Sequence, residues 1–234
     1  NLSPDGKTFA SSWDVTGQPE LWVMPATGGQ PKQITFETGV RAPIWTPEGS
    51  KLFFSADRDG NEQTGYFALS VDGNSEFEVL PATRGDFRSF GDFAADGSFV
   101  YASTASGEGV YDIYRGTLEG ETELIFESTL GHYAKSISPD GKYALISESV
   151  GAAADNLYLL DLTSKEVTTI SKPPVEDYAS HTGGGFQWWP NSKGFYFSTD
   201  LDREFSTLAF YDMESRSFAR VFESQHDVGS LQLC

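Results

Sequence analysis

Three histidines, His132, His181 and His226, stand at corresponding places in the chain, and Arg41, Asp86 and Arg88 occupy similar offsets earlier in it. Imidazoles can ligate zinc or carry protons, and guanidinium groups clasp carboxylates. Zinc ligands must converge to roughly 2 Å from the ion. Histidines carried on separate loops of a repeating chain stand too far apart for that. Two acidic loops, Asp57-Arg58-Asp59-Gly60-Asn61-Glu62 and Asp200-Leu201-Asp202-Arg203-Glu204, alternate carboxylates in the manner of a calcium loop. An EF-type loop needs its glycine at the sixth position. Here glycine comes fourth in the first loop and is missing from the second, so both are read as solvated turns. No metal site and no cofactor is expected. A hydrolase serine would sit in G-x-S-x-G, where a sharp strand-to-helix turn exposes its oxygen. The pattern does not occur, and no catalytic residue is assigned.

The elements that position these residues repeat. Ser-Pro-Asp-Gly-Lys is written twice, at Ser3–Lys7 and Ser138–Lys142, with degenerate copies at Thr46–Gly49, Ala94–Gly97 and Trp189–Ser192. Proline presets φ, aspartate bonds the local backbone and glycine accepts positive φ, which together make a tight turn. Each copy opens an apolar run, and one serine falls in register five times: Ser12, Ser55, Ser103, Ser147 and Ser198, in steps of 43, 48, 44 and 51 residues. These serines are read as repeated structural positions that hydrogen-bond at strand ends, not as nucleophiles.

A strand precedes the turn in the later repeats and two more strands follow the apolar run, giving four per repeat. A β-rich repeat of about 40–50 residues with four strands is the mark of propeller blades. Near-continuous apolar runs fit sheets sandwiched between neighbours on both faces. The expected fold is therefore all-β, a β-propeller of about five four-stranded blades. The repeats run roughly 1–40, 41–86, 87–131, 132–181 and 182–226, with 227–234 as an extra inner strand. The chain opens at a turn whose preceding strand is absent and closes on a segment resembling that strand. This reads as a piece of a larger propeller in preference to a ring closed by its own termini. His132, His181, His226, Arg41, Arg88 and Asp86 all precede the innermost strand of a blade. Such links gather at one mouth of a propeller's channel, so these residues are expected to form a polar, substrate-contacting rim.

With 16 basic and 34 acidic residues the formal charge is −18, which excludes the clustered cations that nucleic-acid binding needs. The acids are scattered, as on a solubilising surface, and a sharper reading is attraction of cationic ligands. Cys234 is the single cysteine, so neither an internal disulfide nor a cysteine metal cage is possible. No apolar run is long enough for a transmembrane helix. The residues do not choose between a cytoplasmic and a periplasmic compartment.

The segments SPDGK, FFSADRDG and LYLLDLTSK resemble TolB-like propeller repeats. The last repeat, Phe197–Phe205 followed by Leu208–Asp212, is similar to late propeller blades of the prolyl oligopeptidase family, nearest its dipeptidyl peptidase IV and acylaminoacyl peptidase branches. The resemblance implies a non-catalytic propeller module. It would cap a C-terminal α/β-hydrolase domain of the same polypeptide and admit only short peptides as substrates. Two departures stand out. The hydrolase domain is absent, and no Glu-Glu dipeptide, the holder of a substrate amino terminus in dipeptidyl peptidases, occurs. The alternative is a stand-alone TolB-like propeller that acts as a protein-binding scaffold.

Overall fold

The computed structural model describes residues 1–36, 38–107, 109–129, 131–151, 154–171, 183–229 and 231. His181 and Cys234 lie outside the described residues. All nineteen described elements are strands, in five sheets that each follow chain order. The first sheet holds β1 (Thr8–Trp13), β2 (Glu20–Pro25) and β3 (Lys32–Gln33). The second holds β4 (Val40–Trp45), β5 (Lys51–Ala56), β6 (Gly65–Ser70) and β7 (Glu76–Leu80). The third holds β8 (Arg88–Phe93), β9 (Phe99–Ser103), β10 (Asp112–Gly116) and β11 (Thr122–Phe126). The fourth holds β12 (His132–Ile137), β13 (Tyr143–Gly151), β14 (Ala154–Asp161) and β15 (Val167–Ser171). The fifth holds β16 (Gly183–Trp188), β17 (Gly194–Thr199), β18 (Thr207–Asp212) and β19 (Ser217–Phe222). These are the blades the repeat predicts.

The first sheet has three strands among the described residues. Residues 1–3 fold back along β1, with Leu2 bridged to Phe9 and the Ala10 N–H donating to the Asn1 carbonyl at 2.8 Å. The segment 227–234, read as a further strand, is described only at 227–229 and 231, and there it lies outside any strand. The Val228 N–H donates to the Ser206 carbonyl at 3.2 Å, and Leu231 packs over Gly185.

The structure explains why Ser-Pro-Asp-Gly recurs. The buried Ser138 hydroxyl donates to Asp140 Oδ1 (2.7 Å) and accepts the N–H groups of Lys142 (3.1 Å) and Tyr143 (3.0 Å). Ser3 makes the same three bonds, to Asp5 (2.6 Å), Lys7 (3.2 Å) and Thr8 (2.9 Å). The Ser3 hydroxyl is the main reason the Asp5 carboxyl is held down at about 2. Gly6 and Gly141 take φ of 71° and 68°, the left-handed region that glycine enters without strain. In the second sheet Thr46 does the serine's work, accepting from Lys51 N–H at 3.2 Å.

One expected outcome follows at this turn. Ser138→Ala leaves the Tyr143 N–H without its side-chain acceptor and should lower stability by about 1–3 kcal/mol in urea unfolding. Ser50→Ala, on an exposed loop, serves as the neutral control.

The chain divides into two compact units, residues 1–88 with 116–122, and residues 89–115 with 123–234. In the first unit Leu21, Val23, Leu52, Phe54, Phe67 and Leu69 build the core between the first two sheets. In the second unit Val100, Ile113, Ile125, Ile146 and Leu160 fill the space between the third and fourth sheets. There Leu145, Leu157, Phe195, Phe197 and Tyr211 fill the space between the fourth and fifth. Adjacent residues such as Leu145 and Ile146 therefore enter different cores, which is why the apolar runs are near-continuous. Gly91 on β8 sets how closely first strands approach. A Cβ there would stand 2.8 Å from the Cβ of Ala134 on β12 and 2.9 Å from the Val100 carbonyl oxygen.

The registered serines bond as strand-end residues. Ser12 Oγ donates to the Val40 carbonyl (3.1 Å) and Ser198 Oγ to that of Gly184 (3.1 Å). Ser103 Oγ instead accepts the Ala105 N–H (3.1 Å). Ser147 departs from this, its buried hydroxyl having no partner.

Candidate functional site

The six residues expected at a rim have different surroundings. Arg41 lies exposed on β4, just before a register shift in which Ala42 takes a φ of 45°. His226 follows β19 and is also exposed, its N–H donating to Ser224 Oγ at 2.9 Å. His181 is outside the described residues.

Arg88 is committed to the fold. Its side chain is 7% exposed and that of its partner Asp86 5%, with Nε and NH2 both 2.6 Å from Asp86 Oδ2. NH1 donates to the Pro81 carbonyl at 2.9 Å and to that of Leu80 at 3.3 Å, and the guanidinium lies 5.9 Å from the Tyr66 ring centroid. This buried ion pair ties down the link from β7 to β8.

His132 is buried as well, and it leads to a polar cluster. It opens β12, directly opposite Glu148 on β13, and Glu148 is in turn opposite Asn156 on β14. Two residues further along β14 the Tyr158 side chain emerges on the same face, because side chains alternate along a strand. Tyr158 Oη and Asn156 Nδ2 both donate to Glu148 Oε2, at 2.7 and 2.8 Å. His132 Nδ1 sits 3.1 Å from Ser128 Oγ, and the Ser128 N–H donates to Asp112 Oδ1 at 2.7 Å. The imidazole packs edge-on to Phe126 at 4.9 Å and lies 5.9 Å from the Tyr158 ring.

Desolvation dominates the ionisation of this group. It lowers the pKa of His132 despite the opposing pull of Glu148 and Asp112, so the imidazole is neutral at neutral pH. Burial, then the bond to Glu148 and its charge, push the Tyr158 phenol up to about 12. The cluster thus combines a fixed carboxylate, a neutral imidazole, a phenol that stays protonated and a carboxamide. Asn156 is 4% exposed, and its Oδ1 has no hydrogen-bond partner.

The corresponding positions differ from sheet to sheet, and in the first they hold Trp13 and the buried Glu20. Register places Val40, Ala56 and Gly65 there in the second sheet, and Gly183, Thr199 and Thr207 in the fifth. The fourth sheet differs in length too. The β13–β14 ladder continues past Glu148 and Asn156 through Ser149–Asp155 and Gly151–Ala154. By contrast β5 and β6 end at Ala56 and Gly65. Sequence reasoning found His132 but missed Glu148, Asn156 and Tyr158. The signal was present in the residue after each registered serine, which is Trp13, Ala56, Thr104 or Thr199 elsewhere and a glutamate only here.

The acidic loops have local explanations. Asp57 accepts the N–H groups of Asn61 (3.1 Å) and Glu62 (2.7 Å), closing its own turn. Arg203 pairs with Glu223 at 2.6 Å. Two open hollows of about 530 and 500 Å³ flank the exposed Phe36 in the first unit. Glu20 beside them accepts from Thr35 Oγ1 (2.5 Å) and the Thr38 N–H (2.8 Å), and Arg58 pairs with Glu76, so these charges serve the loops.

Comparison with known proteins agrees with this architecture. The TolB beta propeller domain family matches residues 1–179. "Uncharacterized protein Atu1656" of Agrobacterium fabrum (strain C58 / ATCC 33970) is 29% identical over 143 residues, 60% of this chain and 47% of that protein. "Uncharacterized peptidase YuxL" of Bacillus subtilis (strain 168) is 26% identical over 165 residues, 65% of this chain and 22% of that protein. The chain thus spans less than half the length of these curated relatives. The β-propeller domain of the Trilobed protease from Pyrococcus furiosus superposes with a TM-score of 0.66 at 21% identity, over 98% of this chain and 72% of that one. The same fold is found in TolB, prolyl endopeptidase, acylaminoacyl peptidase and puromycin hydrolase.

Proposed function

This chain belongs to the TolB beta propeller domain family, and from that premise we propose that it is the non-catalytic propeller module of a serine oligopeptidase, capping a hydrolase domain carried elsewhere in the same polypeptide and admitting short peptides to it. One observation supports this above the others: nearly the whole chain takes the fold of a protease's propeller domain while covering only 22% of a peptidase relative. The physical logic is that of a filter. Sheets packed face to face through large rings such as Phe54, Phe67, Phe195 and Phe197 do not deform to admit a folded protein. Arg41 and His226, exposed on their respective units, carry the rim part of the proposal. Arg88 and His132 contribute through the fold and the buried cluster. Among the described residues no helix is long and apolar enough to cross a membrane.

The chemistry at the scissile bond belongs to the other domain. The 234-residue chain should therefore leave peptide p-nitroanilides intact in a chromogenic assay. Turnover that co-purifies with the chain would overturn the module reading. The second reading, a TolB-like protein-binding scaffold, is favoured by the family itself. The downstream reading frame separates the two. G-x-S-x-G followed by Asp and then His supports the module, and a stop codon or further blades alone supports the scaffold.

A further inference from the structure

We propose that the groove between the first and second sheets docks an extended, basic segment of a partner protein, anchored by an apolar side chain. The inference goes beyond the capping role and does not rest on it.

The outer strands of these two sheets differ in length. β3 has two residues and β7 has five, so β7 reaches past its neighbour. Glu76 and Glu78 on β7 lie opposite Leu69 and Phe67 of β6. Cross-strand partners share a face, and Leu69 and Phe67 belong to the core shared with the first sheet. The two glutamates are nevertheless exposed, because the short β3 leaves that end of the face uncovered. The hollow of about 500 Å³ beside them has the buried Ile34 and Leu69 at its floor and Phe36 at its side. Phe36 is 70% exposed, the most of any large apolar residue among the described ones. A partner's apolar side chain set against that ring removes both surfaces from water. Since β7 ends its sheet, a strand-like segment can align along its edge.

Charge selects the kind of segment. Arg58 at the lip is already engaged, paired with Glu76 and with its guanidinium 4.0 Å from the Phe67 ring centroid. Among the described residues no cation pairs with Glu78, nor with Asp59 or Glu62 on the loop that carries Arg58. A lysine or arginine next to the apolar anchor meets these carboxylates, and the face of Phe36 attracts a cation. A second copy of the chain is disfavoured as occupant, because each copy carries a formal charge of −18.

The test is a calorimetric titration of the full chain with acetyl-Arg-Leu-Arg-Phe-Arg-amide. Two comparison peptides replace the arginines by glutamate, or the leucine and phenylalanine by serine. The first peptide should bind, and both comparison peptides should bind about tenfold more weakly or worse. Phe36→Ala should weaken binding by about tenfold, as for a central aromatic anchor, with an unchanged melting curve. Glu78→Gln should weaken it by about threefold, the scale of an exposed ion pair. Glu214→Gln, the same charge change on the exposed hairpin before β19, should leave binding unaltered. No binding of the first peptide, equal binding of either comparison peptide, indifference to Phe36→Ala, or equal losses from Glu78→Gln and Glu214→Gln overturns the proposal. Sedimentation that shows a Phe36-dependent dimer assigns the groove to a second copy and overturns it as well. Should Phe36→Ala shift the melting curve, the backbone amide resonances of Thr35, Thr38 and Gly73 in the unmodified chain decide. They should move with the first peptide and not with its serine form, and their indifference to both overturns the site. Failure here leaves peptide-size selection by the intact protein untouched, so the two readings fail separately.

Discussion

Arg88→Ala is expected to lower the stability of the first unit by about 3–5 kcal/mol, the range for removing one partner of a buried ion pair. The substitution leaves Asp86, 5% exposed, without the cation whose NH2 stands 2.6 Å away. It also removes the donor to the Pro81 and Leu80 carbonyls that end β7. Low dielectric makes the remaining buried carboxylate expensive. Arg41→Ala, by contrast, deletes an exposed side chain and should change stability by no more than about 0.5 kcal/mol. Urea unfolding of both variants gives the comparison. Equal, small losses would mean that Arg88 is a surface residue after all and returns to the rim.

Phe195→Ala should be as damaging in the second unit, at about 3–5 kcal/mol. Phe195 is fully buried on β17, with its ring centroid 4.8 Å from that of Trp188, 5.0 Å from that of Tyr211 and 5.8 Å from that of Phe197. Each neighbour belongs to the same sheet, which packs against the fourth, so none can collapse inward without leaving its own contacts. Gly194 beside it fixes the backbone, since a Cβ there would meet the Tyr211 carbonyl oxygen at 2.5 Å. The void left by the ring therefore persists. Thermal melting of Phe195→Ala against Phe195→Leu checks this, the leucine variant recovering most of the loss. A small and equal loss in both variants would show that the fifth sheet is loosely packed.

The fold was legible because the repeat is written in turn chemistry. Ser138 and Ser3 make identical three-bond turns, so the pentapeptide could be read as a strand boundary without knowing what the strands pack against. The registered serines located the second strand of each blade for the same reason. The burial of Arg88 was not legible. Asp86 lies in the link before β8 and Arg88 opens that strand, where polar residues normally face water, and the Arg88 bonds to Asp86 and to the Leu80 and Pro81 carbonyls hold the pair inward. The polar cluster was legible at one corner. His132 stood out as a histidine, but Glu148 and Asn156 meet through a cross-strand register that depends on how far the hairpin runs. That length is set by the extended ladder of the fourth sheet, which no local turn signal announces.

Filtering is the central claim, and it is tested most directly in the intact parent protein. Cleavage rates are measured for peptides of increasing length around one scissile sequence, with residues 1–234 present and with them deleted. The account predicts a steep fall in rate with length when the propeller is present and a flattened profile when it is removed. The same length preference in both proteins would contradict it.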